Sequence, residues 1–205
     1  MKIGVVDYGA SNIFSVVRAL DFLGAKVQVV DLPNKIKDVD RLVFPGQGSM
    51  GACIQKLESM DMIEPLNIFI KNRPFLGICL GLQVLFDESE ESNGAKGLGF
   101  FQGKINKIST ANSSNLKVPH MGWNNVMYQK GHSLFDGIES DQFFYFVHSY
   151  VFDNLSSSNV IATTSYGNDF VSALAKENVF ASQFHPEKSG KEGLKFLDNF
   201  ISWDI

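Results

Sequence analysis

Two short stretches set about a hundred residues apart carry side chains that together can break an amide bond. The first is Gly77-Ile78-Cys79-Leu80-Gly81, which joins an apolar run beginning at Phe75 to a second run that continues through Leu82 and Gln83. A cysteine flanked by glycines at a strand-to-helix junction has the logic of a nucleophile elbow, because the glycines let the chain turn sharply enough to present the thiol. The N–H groups at the start of the following helix would lower the thiol pKa and offer hydrogen bonds to an oxyanion. Taken alone, the segment fits a buried structural cysteine as well as a reactive one. The second stretch, Gln183-Phe184-His185-Pro186-Glu187, supplies a base. Pro186 restricts His185 to extended backbone, so His185 and Glu187 project close together from a stiff turn. Glu187 can then hold the imidazole in one tautomer while His185 exchanges the proton of Cys79. His185 by itself fits an ordinary structural histidine, and its nearness to Glu187 after a strand favours the triad.

These groups need a scaffold, and the hydrophobic pattern describes one. Ile3 to Asp7 reads as a buried strand. Asn12 caps a helix whose apolar positions Ile13, Val16, Val17, Leu20 and Leu23 follow the 3.6-residue period until Gly24 stops it. Strands are expected at Lys26 to Val30, Arg41 to Phe44 and Phe75 to Cys79, with helices around Met50 to Leu57, Met62 to Lys71 and Leu80 to Asp87. Strands separated by helices imply right-handed crossovers and a mainly parallel sheet covered on both faces, an α/β fold. The second half changes to short strands at Gly103 to Ile108, Asn124 to Tyr128, Phe143 to Val147, Val160 to Thr164, Val171 to Ala175 and Val179 to Gln183. They read as hairpins and sheet extensions, before a closing helix at Lys191 to Trp203. Ser109 to Asn115 and Asn154 to Asn159 read as surface loops.

Composition narrows the function. The chain has 205 residues, which suits one domain over its whole length, and 44% hydrophobic with 20% charged residues excludes disorder. With 18 basic against 22 acidic residues, the net charge of -4 has the wrong sign for a nucleic-acid binder. No stretch approaches the roughly 18 apolar residues of a membrane span, and the apolar run at Lys2 to Val6 is too short for a signal peptide, so a cytoplasmic protein is expected. Cys53 and Cys79 are too few for a disulfide scaffold or a metal tetrad, and Cys53 faces apolar neighbours on its helix as a structural residue would. His120, His132, His148 and His185 lack metal-ligand spacing, and Gly46 to Gly48 and Tyr8 to Asn12 fall short of a phosphate-binding loop. No metal or other cofactor is expected. The 18 phenylalanines point to an aromatic core.

Gly77 to Gln83 together with His185-Pro186-Glu187 resembles the Cys-His-Glu signature of class I glutamine amidotransferases, whose fold is flavodoxin-like. Asp7-Tyr8-Gly9 with Asn12, Pro45-Gly46-Gln47-Gly48, Glu88 to Gly94, Pro119 to Asn124, Tyr145 to Tyr150 and His185 to Gly190 are similar, within that class, to the glutaminase subunits of imidazole glycerol phosphate synthases. The resemblance implies that Cys79, His185 and Glu187 hydrolyse L-glutamine through a thioester. It implies oxyanion donors at Leu80 and in the Gln47-Gly48 part of a loop that rests with its donor turned away. It also implies a substrate site formed by Gly46, Gln83, Glu91, Ser149 and Tyr150. Read without it, Gln83 fits a solvated helix position and Glu91 an acidic surface run. The implied partner is a cyclase subunit with a (β/α)8 barrel, which takes the ammonia and joins this chain in a heterodimer, with Trp123, Asn124, Tyr145 and Lys188 near the interface.

The chain departs from that pattern at Gln47, where valine is the commoner residue. A glutamine there could hydrogen-bond nearby backbone and alter the loop. Paralogous subunits that feed ammonia to a sugar amidotransferase in surface-polysaccharide biosynthesis share the glutaminase motifs and are the alternative reading. A flavodoxin-like cysteine hydrolase or peptidase would also use elbow, thiol and histidine, though Gln83 and Glu91 favour an amino-acid substrate. A non-enzymatic regulatory subunit is disfavoured by the intact Cys79, His185 and Glu187.

Overall fold

The computed structural model describes residues 1–9, 13–91, 94–109, 116–128 and 131–204. Asn12, expected to cap the first helix, lies outside the described residues, as do most of the Ser109 to Asn115 loop and positions 92 and 93 of the Glu88 to Gly94 motif. In the first half, strands β1 (Lys2–Val6), β2 (Lys26–Val30), β3 (Arg41–Gly46) and β4 (Phe75–Cys79) alternate with helices α1 (Phe14–Phe22), α2 (Met50–Ser59) and α3 (Ile63–Ile70). β1, β3 and β4 are buried almost end to end, as strands covered on both faces must be. Gly24, at φ +78, ends the turn after α1 in the left-handed conformation that glycine adopts freely.

The main sheet runs β2-β1-β3-β4-β13-β12-β11-β8-β9, with β13 at Val179–Ser182, β12 at Asn168–Lys176, β11 at Val160–Tyr166, β8 at His120–Tyr128 and β9 at Gln142–His148. Its first five members are parallel and the rest antiparallel, the mainly parallel α/β sheet with antiparallel additions that the patterning predicts. Register then fixes the site. Gly46 pairs with Cys79 and Ser182 with Ile78, so the carboxyl ends of β3, β4 and β13 finish side by side. In open α/β sheets, that edge is where ligands bind.

One expectation fails in the middle of the chain. The helix expected to reach Asp87 is a single turn, α4 (Leu80–Gln83). Beyond it the backbone is claimed by strand-like pairing: Leu98 N–H bonds the Val84 carbonyl at 2.7 Å, and Phe100 and Phe101 N–H bond that of Leu85 at 2.8 and 2.9 Å. The segment becomes β5 (Phe86–Ser89) of a second sheet, ordered β10-β7-β5-β6, with β6 at Ala95–Lys96, β7 at Phe101–Lys107 and β10 at Tyr150–Val151. The apolar run in this stretch is core facing a small sheet, which periodicity alone does not separate from a buried helix.

Apolar side chains form two layers, one on each face of the main sheet. Phenylalanines dominate one of them: the Phe144 and Phe184 rings lie 4.4 Å apart, and Phe180, Phe184 and Phe196 meet edge-on beneath helix α5 (Gly190–Ser202). No helix among the described residues is long and apolar enough to cross a membrane.

Inside this aromatic layer runs a directed polar chain. Tyr150 O can only accept, so it takes the His148 Nδ1–H at 3.1 Å. His148 Nε2 is then the acceptor for His120 Nδ1–H at 3.0 Å, and His120 Nε2 accepts from Asn124 Nδ2 at 3.3 Å. Burial pushes His120 down to about 4, and burial together with the neighbouring His120 pushes His148 down to about 3. Both stay neutral in the folded chain where an unfolded imidazole, at pKa 6.5, binds a proton. Their contribution to stability is therefore full above that value and is lost as the pH falls toward their folded values. Denaturant unfolding should show the free energy dropping by roughly 2 kcal/mol between about pH 7 and pH 5.5; constant or rising stability over that range would contradict the neutral pair.

Candidate active site

Cys79 sits at the last position of β4, immediately before α4, with φ 56 and ψ -104, a conformation that non-glycine residues rarely adopt. Its neighbours explain how the backbone is held there. A Cβ on Gly77 would stand 2.4 Å from the Gly81 carbonyl oxygen, and one on Gly81 would stand 1.9 Å from the Phe44 carbonyl oxygen. The glycines thus supply close backbone approach between β3, β4 and α4. The turn leaves Sγ in an almost closed position, 7% exposed, 3.8 Å from Val147 O and 3.6 Å from Gln183 Nε2.

His185 arrives just beyond the end of β13. His185 Nδ1 bonds Glu187 Oε1 at 2.7 Å, with both side chains almost wholly buried. That bond commits Nδ1 to the carboxylate. The other nitrogen, Nε2, is enclosed without a hydrogen bond of regular geometry, and Cys79 is the neighbour that acts on it electrostatically. Burial opposes charge on the ring, yet the neighbouring Cys79 sulfur and Glu187 outweigh it and push the imidazole up to about 10. The turn is braced by Ser189, whose hydroxyl donates to His185 O at 2.6 Å and accepts from Tyr145 N at 3.0 Å, and by His185 N on Tyr145 O at 2.9 Å. A thiol, an imidazole on its far side and a carboxylate behind the imidazole can deliver a thiolate to a carbonyl and return a proton to a leaving amine.

These groups open onto a cavity of about 400 Å³. Gly46, Gln47, Gly48, Leu80, Gln83, Glu91, Ser149, Tyr150, Tyr145 and Lys188 line it with Cys79 and His185, while Glu187 stands behind. Within the acidic run, pairing sorts the carboxylates: Asp87 accepts from Gly103 N, Glu88 faces Lys104 at 3.4 Å, and Glu90 accepts from Lys107 N. Glu91 alone of the four lines the cavity, held by the Met50 N–H at the start of α2 at 3.0 Å. Gln83 Nε2 donates to Tyr150 O at 3.2 Å.

The loop after β3 is tied down by its backbone. Gln47 N–H donates to the Tyr8 hydroxyl at 3.2 Å, and the same hydroxyl donates to Gln47 O at 3.2 Å. This N–H is thereby committed to Tyr8, with the Gln47 residue itself exposed. Trp123, Tyr145 and Lys188 cluster: the two rings meet edge-on at 6.1 Å, and Lys188 Nζ lies 5.9 Å from the Tyr145 ring centre. Asn124 does not join them. Alternation along β8 turns it to the opposite face, where it bonds His120 and Ser165 O. Sequence reasoning also passed over Gln183 and Tyr8, both within quoted motifs; their burial between elements distant in sequence was the missing information.

The profile of the Glutamine amidotransferase class-I family matches residues 4–203. The chain belongs to this family. Among curated relatives of this amidotransferase, the imidazole glycerol phosphate synthase subunit HisH of Aromatoleum aromaticum is 44% identical over 208 residues, covering 98% of each chain. The subunit of the same name from Methanocaldococcus jannaschii is 43% identical over 200 residues, covering 97% of this chain and 98% of that one. Among solved structures, PurLQS from Thermotoga maritima superposes with a TM-score of 0.75 at 19% identity, over 98% of this chain and 97% of that one, a likeness of fold. Replacing Gly81 by alanine forces the methyl into the Phe44 carbonyl. Denaturation should show a loss of roughly 3 kcal/mol or more, and near-neutral stability would mean that the elbow is not held by this approach.

Proposed function

We propose that this amidotransferase is the glutaminase subunit of an imidazole glycerol phosphate synthase. It hydrolyses L-glutamine to glutamate and ammonia, and the ammonia passes to a cyclase subunit that makes imidazole glycerol phosphate and an aminoimidazole carboxamide nucleotide. The observation that carries this reading is one cavity lined by Cys79 and His185, with Glu187 behind the imidazole, and also by Glu91, Ser149 and Tyr150. A γ-carboxamide at the thiol can thus coexist with an α-ammonium at Glu91. Cys79 Sγ attacks the amide carbon, the imidazolium of His185 gives its proton to the departing ammonia, and a thioester remains. Water, deprotonated by His185, then attacks the thioester, the C–S bond breaks and the thiolate returns. Gln83, whose amide nitrogen is engaged by Tyr150, offers its oxygen to the substrate's polar hydrogens.

Charge on the tetrahedral oxygen calls for two donors. The Leu80 N–H, in the first turn of α4 and without an intrahelical partner, is one. The second, Gln47 N–H, is held by Tyr8, which supports a resting state of low activity. The partner surface supports the same account. Trp123, Tyr145 and Lys188 stand beside the cavity, and β8 and β9 also expose Met121, Met127 and Phe143, an apolar patch of the kind that marks an interface. A (β/α)8 barrel cyclase seated there would receive ammonia directly and would shift the loop equilibrium in favour of turnover. The close full-length likeness to HisH subunits favours this acceptor over a sugar amidotransferase.

Mixing the chain with the cyclase subunit of an imidazole glycerol phosphate synthase should yield glutamate from glutamine, and Cys79→Ala should lower that rate by at least roughly 10³-fold. No glutamine turnover by the wild-type pair would remove the reading. Tyr8→Phe frees the Gln47 peptide, so glutaminase activity without the cyclase should rise several-fold while the stimulated rate changes little. An unchanged or lower basal rate in a folded variant would show that Tyr8 does not restrain the loop.

A further inference from the structure

The nucleophile has a neighbour that the Cys-His-Glu triad leaves without a task. Gln183 is fully buried, follows β13 directly and is anchored by its backbone N–H on Ser172 O at 2.9 Å. Its side chain lies between Gln83 and Cys79, and the network dictates which end faces which. Gln83 Nε2 donates to the Tyr150 carbonyl at 3.2 Å, so the nitrogen of that amide is fixed. The atom of Gln183 that meets the same nitrogen at 3.4 Å must be an acceptor, Oε1. The Gln183 Nε2 hydrogens are thereby aimed at Cys79 Sγ, 3.6 Å away.

We propose that Gln183 is a further catalytic residue, donating a hydrogen bond to the Cys79 sulfur that stabilises it as a thiolate. Such a bond is strong to a charged sulfur and weak to a neutral thiol or thioester. It acts when the thiolate forms before attack and again when the thiolate is expelled as water cleaves the thioester. His185 cannot fill this role throughout, because it surrenders its proton to the departing ammonia; the amide keeps its own. The same side chain links the sulfur, through Gln83, to the Tyr150 backbone in the cavity lining.

The inference rests on Cys79 being the glutaminase nucleophile, and the experiment reads the thiol itself so that the two can fail separately. The rate of Cys79 alkylation by iodoacetamide is measured against pH in the full-length chain by peptide mass spectrometry. Burial pushes the Cys53 thiol up to about 12, which keeps it from competing. The titratable or charged groups around Cys79 are His185 and Glu187 after β13, His148 on β9, Tyr8 after β1, and Glu91 and Lys188 across the cavity, all retained in the variants. Gln183→Met removes the donor at similar volume, and Gln183→Glu keeps the acceptor for Gln83 while replacing the N–H donor. Both should move the inflection of the profile upward by about one pH unit, roughly tenfold in rate at fixed pH below it. A folded Gln183→Glu protein whose profile coincides with wild type would overturn the proposal, and this variant carries the test alone if the methionine variant does not fold. A shifted profile in a protein that turns over no glutamine with its cyclase would uphold the bond and remove the glutaminase reading.

Discussion

The Cys79 backbone sits in a conformation that most residues avoid, and the rest of the site is arranged around it. At φ 56 the chain leaves β4 and enters α4 without an intervening loop. This delivers the sulfur to the sheet's carboxyl edge and leaves the next N–H, that of Leu80, in the first turn of α4. Strain of this kind persists only where the surroundings over-determine it. Here they do so through contact between backbones: Gly77 against Gly81, and Gly81 against Phe44. The elbow is thereby fixed by the packing of two adjacent parallel strands and cannot relax without separating them.

Register converts that local constraint into a site. Because β3, β4 and β13 are parallel neighbours, the Gly46 to Gly48 loop, Cys79 and the His185 turn all emerge at one edge. The second sheet then contributes Tyr150 from β10, and Glu91 just beyond β5, to the lining of the cavity. The antiparallel extension has a different role. One face buries the directed chain of His148, His120 and Asn124, and the other presents Trp123 and Tyr145 to solvent beside the cavity. Neutral buried histidines suit such a chain, since among the described residues no carboxylate acts on either ring.

Much of this was legible in the sequence where local rules dominate. The elbow glycines, Pro186 after His185 and the alternation of apolar strands with amphipathic helices are local signals, and the strands and helices from β1 to β4 lie where those signals put them. What stayed hidden depends on pairing at long range. The stretch after Gln83 is strand because Leu98 and Phe100 bond its carbonyls. Asn124 faces away from Trp123 because β8 is continuous through both. Gln183 and Tyr8 acquire tasks only when elements over a hundred and nearly forty residues apart are brought together. The exposed Gln47 side chain drew attention in the sequence, whereas the structure ties that residue through its backbone.

Buried beside the Cys79 sulfur and hydrogen-bonded to Glu187, the His185 ring is pushed up to about 10. The most direct measurement is a nitrogen-15 NMR titration of His185 in the wild-type chain and in Cys79→Ala. The wild-type ring should stay protonated well above the ordinary histidine range, toward its raised value of about 10, and its pKa should fall once the sulfur is gone. A wild-type His185 that is neutral at pH 7, or one whose titration does not respond to loss of the sulfur, would contradict it.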